Sequence, residues 1–88
     1  MQRKEVTRNL KALANERRVR IIQELLRMPG LTVGDLGRIL KLSYPAISRH
    51  IQKLADNDLI RLEQYSLQVL CRVNKHHPAV RALIGLLG

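Results

Sequence analysis

Residues 43–58, SYPAISRHIQKLADND, carry two faces on one helix. Ile47, Ile51, Leu54 and Ala55 fall at i, i+4, i+7 and i+8, which at about 100° per residue makes a single apolar stripe. The other side presents Pro45, Arg49 and Gln52, flanked by Ser48 and Lys53. Hydroxyl, guanidinium, amide and ammonium groups sharing an outward face are groups that reach phosphates and base edges. The apolar stripe needs a support, and the neighbouring segments read as one.

Immediately upstream, Thr32 and Asp35 form a T-x-x-D capping pattern that opens a short helix with Val33, Leu36 and Leu40 inward. Gly34 and Gly37 lower its helicity but admit a close neighbour. Lys41 and Leu42 make a tight link to the helix of residues 43–58, which Ser43 caps or which starts one residue later. Pro45 fits a first helical turn but disfavours an α conformation at Tyr44. Two short helices joined by about three residues describe a helix-turn-helix over about 32–57, whose second member enters the major groove N-terminus first.

Farther upstream, Val6, Leu10, Leu13 and Ala14 recur at helical spacing among Arg3, Lys4, Arg8 and Lys11, predicting an amphipathic helix over about 4–14. Asn15 caps a second helix with Val19, Ile22, Leu25 and Leu26 inward and Ile21 beside them, ended by Pro29-Gly30. Arg17, Arg18 and Arg20 are its densest basic cluster, read either as a solvated face or as phosphate contacts. Downstream, Leu59–Glu63 and Leu67–Val73 are β-compatible, the second alternating Leu67, Val69, Cys71 and Val73 with Gln68, Leu70 and Arg72. They predict a hairpin over about 59–73 connected through Gln64-Tyr65-Ser66, with no glycine to signal a primed two-residue turn. Asn57 or Asp58 must take the left-handed conformation that usually falls to glycine after a helix. A last helix over about 78–87 starts at Pro78 and carries Val80, Leu83, Ile84 and Leu87 on one face, widened by Leu86. That width reads as a subunit contact, the alternative being a cover for the core.

Composition agrees with this order of elements. The chain has 88 residues, 45% of them hydrophobic but with no Trp or Phe, so the core is built from Leu, Ile, Val and Ala. Sixteen Lys and Arg against seven acidic residues give a net charge of +9, attractive to a polyanion. Nucleic acid is the first candidate and an anionic membrane surface the second, though no helix joins a basic face to a broad aromatic or leucine-rich one. No membrane span or secretory leader is evident, so no membrane partner and a cytoplasmic location are expected. Cys71 is alone, which excludes an intrachain disulfide, and no Cys-x-x-Cys pair exists for zinc. No catalytic constellation is visible: no second carboxylate lies near a histidine, and no phosphate-cradling glycine loop or activated nucleophile is present.

Helix, helix, helix, recognition helix, hairpin, helix is the order of a winged helix-turn-helix, mainly α with a small two-stranded wing, in a single domain over 1–88. Two segments, LKALANERRVRIIQELL (10–26) and LTVGDLGRILKLSYPAISRHIQKLADNDLI (31–60), resemble the ArsR family of bacterial and archaeal transcriptional repressors. Leu10, Ala12, Leu13, Ala14, Asn15, Arg18, Ile21, Leu31, Leu36, Leu42, Ser43, Pro45, Ser48, Arg49, His50 and Leu54 carry the resemblance. It implies a nucleoid-associated homodimer built on the first and last helices, with Val6, Leu10, Leu13, Val80, Leu83, Ile84 and Leu87 at the interface. It also implies an imperfect inverted repeat in double-stranded promoter DNA as the target. By position, Ser43, Tyr44, Pro45, Ser48 and Arg49 match the DNA-facing part of the motif, Arg49 foremost. Gln52, Lys53, Arg17 and Arg18 complete the candidate DNA contacts, and Gln52 and Lys53 lie where phosphate contact is expected. His50 reads as packed or backbone-bonded, with a phosphate contact as the alternative.

The chain departs from that family in three places. Val33, Gly34 and Asp35 stand where metal-sensing members carry Cys-x-Cys, and only the adjacent His76 and His77 lie near the last helix, where side chains one apart diverge. No metal ligand and no cofactor are therefore expected. The hairpin tip Glu63-Gln64-Tyr65-Ser66 lacks the usual basic and glycine residues, and Asp58 replaces the helix-ending glycine. Cys71 reads as a buried, inert thiol rather than a redox sensor. The competing classes are a winged-helix protein-interaction module, a non-specific nucleic-acid binder, and an RNA binder that would lack a stacking platform.

Overall fold

The structure is a computed structural model describing residues 1–88. Seven elements follow one another: α1 (Arg3–Leu13), α2 (Glu16–Arg27), α3 (Val33–Leu40), α4 (Tyr44–Asp56), β1 (Ile60–Tyr65), β2 (Gln68–Val73) and α5 (Pro78–Leu87). This is the winged-helix order.

Side-chain caps set the helix starts. Asn15 Oδ1 accepts from the backbone N–H groups of Arg17 and Arg18 at 3.0 and 3.2 Å, satisfying two donors that α2 leaves unpaired. Thr32 and Asp35 form a reciprocal box at 3.0 and 2.9 Å. The hydrogen bond from the Thr32 backbone, more than any other contact, holds the Asp35 carboxyl below its usual range, and Arg38 pairs with it. Ser43 Oγ accepts from the Ala46 N–H at 3.3 Å, so the helix begins at Tyr44 with Pro45 in its first turn.

Close packing of α3 on α4 requires one glycine. A Cβ at Gly37 would stand 3.2 Å from Ile47 Cγ2 and 3.3 Å from the Leu42 carbonyl oxygen. Gly34 plays no such part, since its nearest neighbours lie at 3.7 Å. Lys41 turns the chain with φ 56°, and Asp58, not Asn57, takes the left-handed conformation after α4 with φ 57°.

Ile60 pairs with Val73 and Tyr65 with Gln68, so the connection is the two-residue Ser66-Leu67 rather than the expected three-residue Gln64-Tyr65-Ser66. Ser66 adopts φ 59° at the first central position, the positive φ of a primed turn, without the glycine that would have signalled it. A further antiparallel bridge, Thr32 to Leu70, extends the sheet, with the Cys71 N–H donating to the Leu31 carbonyl at 2.9 Å. It ties the hairpin to the start of α3.

The core gathers Ile21, Ile22 and Leu25 of α2, Leu36 of α3, Ile47, Ile51 and Leu54 of α4, then Leu59, Ile60, Cys71 and Val80. Ile21 is fully buried, whereas Val19 and Leu26, expected to lead the stripe, are only partly so. The interface set expected for dimerisation divides. Leu13, Val80 and Leu83 are buried in the chain's own core. Val6, Leu10, Ile84 and Leu87 remain exposed, joined by Leu86, because α5 lies against α1 and turns only half its apolar surface inward.

Candidate nucleic-acid interface

Burial of Ile47, Ile51 and Leu54 fixes the rotation of α4, and Tyr44, Pro45, Arg49, Gln52 and Lys53 consequently face solvent. Ser48 is half-buried at the edge of that face. The three ion pairs of the chain are Arg27–Glu24, Arg38–Asp35 and Arg72–Glu63, which leaves the Arg49 guanidinium and the Lys53 ammonium without an acidic partner. Unneutralised cations on a helix that projects from a packed support are suited to phosphate oxygens and guanine edges. Gln52 Nε2 donates one N–H to Asp56 Oδ1 at 2.8 Å, which leaves its other N–H and its carbonyl oxygen free. Ser43 uses its oxygen as the helix cap and keeps its O–H to donate.

The first turn of α2 lies beside α4. Arg17, Arg18, Ala46, Arg49, His50, Gln52, Lys53 and Asp56 line one open groove, in which cations outnumber the single carboxylate. Arg17 is exposed there. Arg18 is diverted: its Nε donates to the Ala12 carbonyl at 2.6 Å, satisfying one of the acceptors that the end of α1 leaves open. The neighbouring arginines, equivalent by composition, therefore divide into a structural tie and a free cation.

His50 is neither backbone-bonded nor fully packed. Its Nδ1 is buried with no hydrogen-bond partner, while the half-buried ring lines the groove. Burial pushes its pKa below the ordinary 6.5, and the charges of Arg18, Arg17 and Arg49 push in the same direction.

Two residues absent from the sequence-based set flank the entrance to α4. Lys41, exposed in the link, and Arg38, paired with Asp35, share a groove with Tyr44. The position of Lys41 two residues before the Ser43 cap was the available signal. The wing differs. Arg72 Nε donates to Glu63 Oε1 at 2.9 Å, Gln64 Nε2 donates to the Ser66 carbonyl, and Leu67 is 97% exposed at the tip beside an exposed Tyr65. The wing presents one unpaired cation, Arg61.

Burial pushes the Cys71 thiol up to about 11, leaving it protonated at neutral pH. His77 caps α5, its Nδ1 accepting from the Ala79 N–H at 3.1 Å, and no group of three His, Cys, Asp or Glu side chains is arranged to hold a metal. No helix is long and apolar enough to cross a membrane.

A family model described as MarR family matches residues 15–64, more than half of the chain. The chain belongs to this family. It is a winged-helix transcriptional regulator, a broader statement than the ArsR membership that the motifs led one to expect. This MarR-family chain is 33% identical over 78 residues to the HTH-type transcriptional regulator YgaV of Escherichia coli strain K12, covering 89% of this chain and 77% of the relative. It is 37% identical to the transcriptional activator HlyU of Vibrio cholerae, covering 89% and 69%. It is 33% identical to the transcriptional repressor PagR of Bacillus anthracis, covering 89% and 76%. The solved structure of HlyU from Vibrio cholerae superimposes with a TM-score of 0.83 at 34% identity, covering 99% of this chain and 94% of that one. PagR superimposes with a TM-score of 0.79 at 27% identity, covering 97% and 94%. These relatives are transcriptional regulators.

Proposed function

We propose that the chain reads double-stranded DNA sequence-specifically as a homodimeric repressor of the ArsR type, without that family's metal ligands. One observation carries the reading: α4 presents Arg49 and Lys53, unpaired and exposed, beside the free Arg17 of α2. With α4 in the major groove, Arg49 reaches a guanine edge, Tyr44, Pro45 and Ser48 contact the adjoining bases, and Lys53 with Arg17 takes phosphates. Val6, Leu10, Ile84, Leu86 and Leu87 pair α1 and α5 with those of a second copy, and the two-fold relation selects an imperfect inverted repeat. The repressor acts in the cytoplasm on the nucleoid, its single domain over 1–88 serving both DNA reading and pairing. Glu63–Arg72 pairing and an uncharged tip give the wing a minor part.

The test is an anisotropy titration with the duplex from upstream of the protein's own gene and with a shuffled duplex, at two salt concentrations. The reading requires the upstream duplex to bind at least about 10³-fold tighter. Equal, weak binding that collapses as salt rises would reduce the +9 charge to a polyanion field and favour a protein-interaction module.

A further inference from the structure

Of the buried side-chain nitrogen and oxygen atoms, Nδ1 of His50 alone has no hydrogen-bond partner. Nδ1 lies out of contact with water and has neither donor nor acceptor opposite it, whereas Nε2 is not among the buried unpartnered atoms. A neutral imidazole carries one proton, and the site of that proton follows from the surroundings. Protonating Nδ1 would bury an N–H with nothing to accept it. Protonating both nitrogens would bury that N–H and add a charge facing Arg17 and Arg18 of α2 and Arg49 and Lys53 of α4, with Asp56 the only carboxylate along the groove. The remaining form holds its proton on Nε2, the ring atom left to the groove. There the N–H joins the free Arg17 guanidinium and the Lys53 ammonium.

We infer that the groove between α2 and α4 seats a DNA backbone phosphate, with Arg17 and Lys53 supplying the charge and neutral His50 donating Nε2–H to a phosphate oxygen. The inference deepens the DNA-reading function proposed above and rests on it. His50 then acts as a directional donor and not as a cation. Its lowered pKa keeps it neutral at pH 7, in accord with that role. Two consequences separate this role from a charged contact. A neutral donor releases no counterion, so its loss weakens binding without changing the salt dependence, whereas loss of Arg17 lowers the slope of log K against log salt by about 0.9. Binding also takes up no proton at this residue.

The test compares wild type, His50→Leu, His50→Gln and Arg17→Gln on the upstream duplex, with melting curves for each. Leu removes a buried unpartnered nitrogen, so His50→Leu is expected to fold at least as well as wild type. It is expected to bind roughly 10-fold more weakly with an unchanged salt slope. Gln carries an N–H at similar reach, and His50→Gln is expected to recover most of the affinity. Between pH 8.0 and about 6.5 the affinities of wild type and His50→Gln are expected to run parallel. If Gln binds as weakly as Leu while both fold, His50 is packing only and the inference fails. If the Leu variant flattens the salt slope by about 1 and wild type alone tightens as pH falls, His50 is an imidazolium contact, which also overturns it. Failure of wild type to prefer the upstream duplex would instead sink the DNA-reading function, a result visible before any variant is examined.

Discussion

The recognition helix and the wing both carry basic residues next to acidic ones, but the helix leaves both Arg49 and Lys53 free whereas the wing pairs Arg72 and leaves only Arg61. On α4, Arg49 and Asp56 lie two turns apart, and Asp56 is occupied by Gln52. On the hairpin, antiparallel pairing sets Glu63 two residues from Arg61, the partner of Arg72, on the same face and close enough to Arg72 for a 2.9 Å contact. An exposed pair of this kind contributes at most about 1 kcal/mol to stability, but it removes a cation from the field that a phosphate would meet. Local geometry, not the number of Lys and Arg, therefore decides which surface attracts DNA.

The sharpest way to break this contrast is Arg49→Ala. It is expected to cost about 1–3 kcal/mol on the preferred duplex and to narrow the gap between preferred and shuffled duplexes, read by competition titration. Equal weakening on all duplexes would reassign Arg49 to a phosphate. Next, Arg18→Lys should act on stability before binding, since a lysine cannot reproduce the guanidinium contact with the Ala12 carbonyl. A loss of about 1 kcal/mol in urea unfolding, with a nearly unchanged salt slope, would separate it from Arg17. Wing variants should do less. Glu63→Gln frees Arg72 and is expected to tighten binding about 2-fold on any duplex with a slightly steeper salt dependence, and Leu67→Ser at the tip should leave affinity and unfolding within about 0.5 kcal/mol of wild type. A large loss from Leu67→Ser would show the wing tip to be a contact after all.

Acid adds a stability test. The native pKa of His50 lies below the ordinary 6.5, so as pH falls through 6.5 the unfolded chain binds a proton before the native one does, and stability declines until the native group also titrates. Asp35 adds a loss at lower pH, because its native pKa is below 3.8 and the stability it contributes above that value disappears as the carboxylate protonates. Urea unfolding from pH 7.5 down to 5 should show the first decline in wild type and a smaller one in His50→Leu.

Much of this architecture was legible because its determinants are local. Asn15, Thr32 with Asp35, and Ser43 cap helices within three residues of themselves, and the stripe Ile47, Ile51 and Leu54 follows from helical repeat alone. The hairpin turn is not legible in the sequence, because a serine at φ 59° stands where a glycine or asparagine would announce it. Arg17 and Arg18 could not be told apart, for the acceptor that claims Arg18 belongs to the end of another helix.

The amino-acid sequence by itself determined the order of elements, the inward and outward sides of α4, and a positive charge suited to a polyanion, since each depends on neighbours within one or two turns or on a simple sum. Tertiary structure decided which of those charges stay free, which apolar residues enter the core and which stay exposed, and why His50 keeps a buried nitrogen without company. Those outcomes depend on groups brought together from separate helices, and no local spacing encodes their meeting.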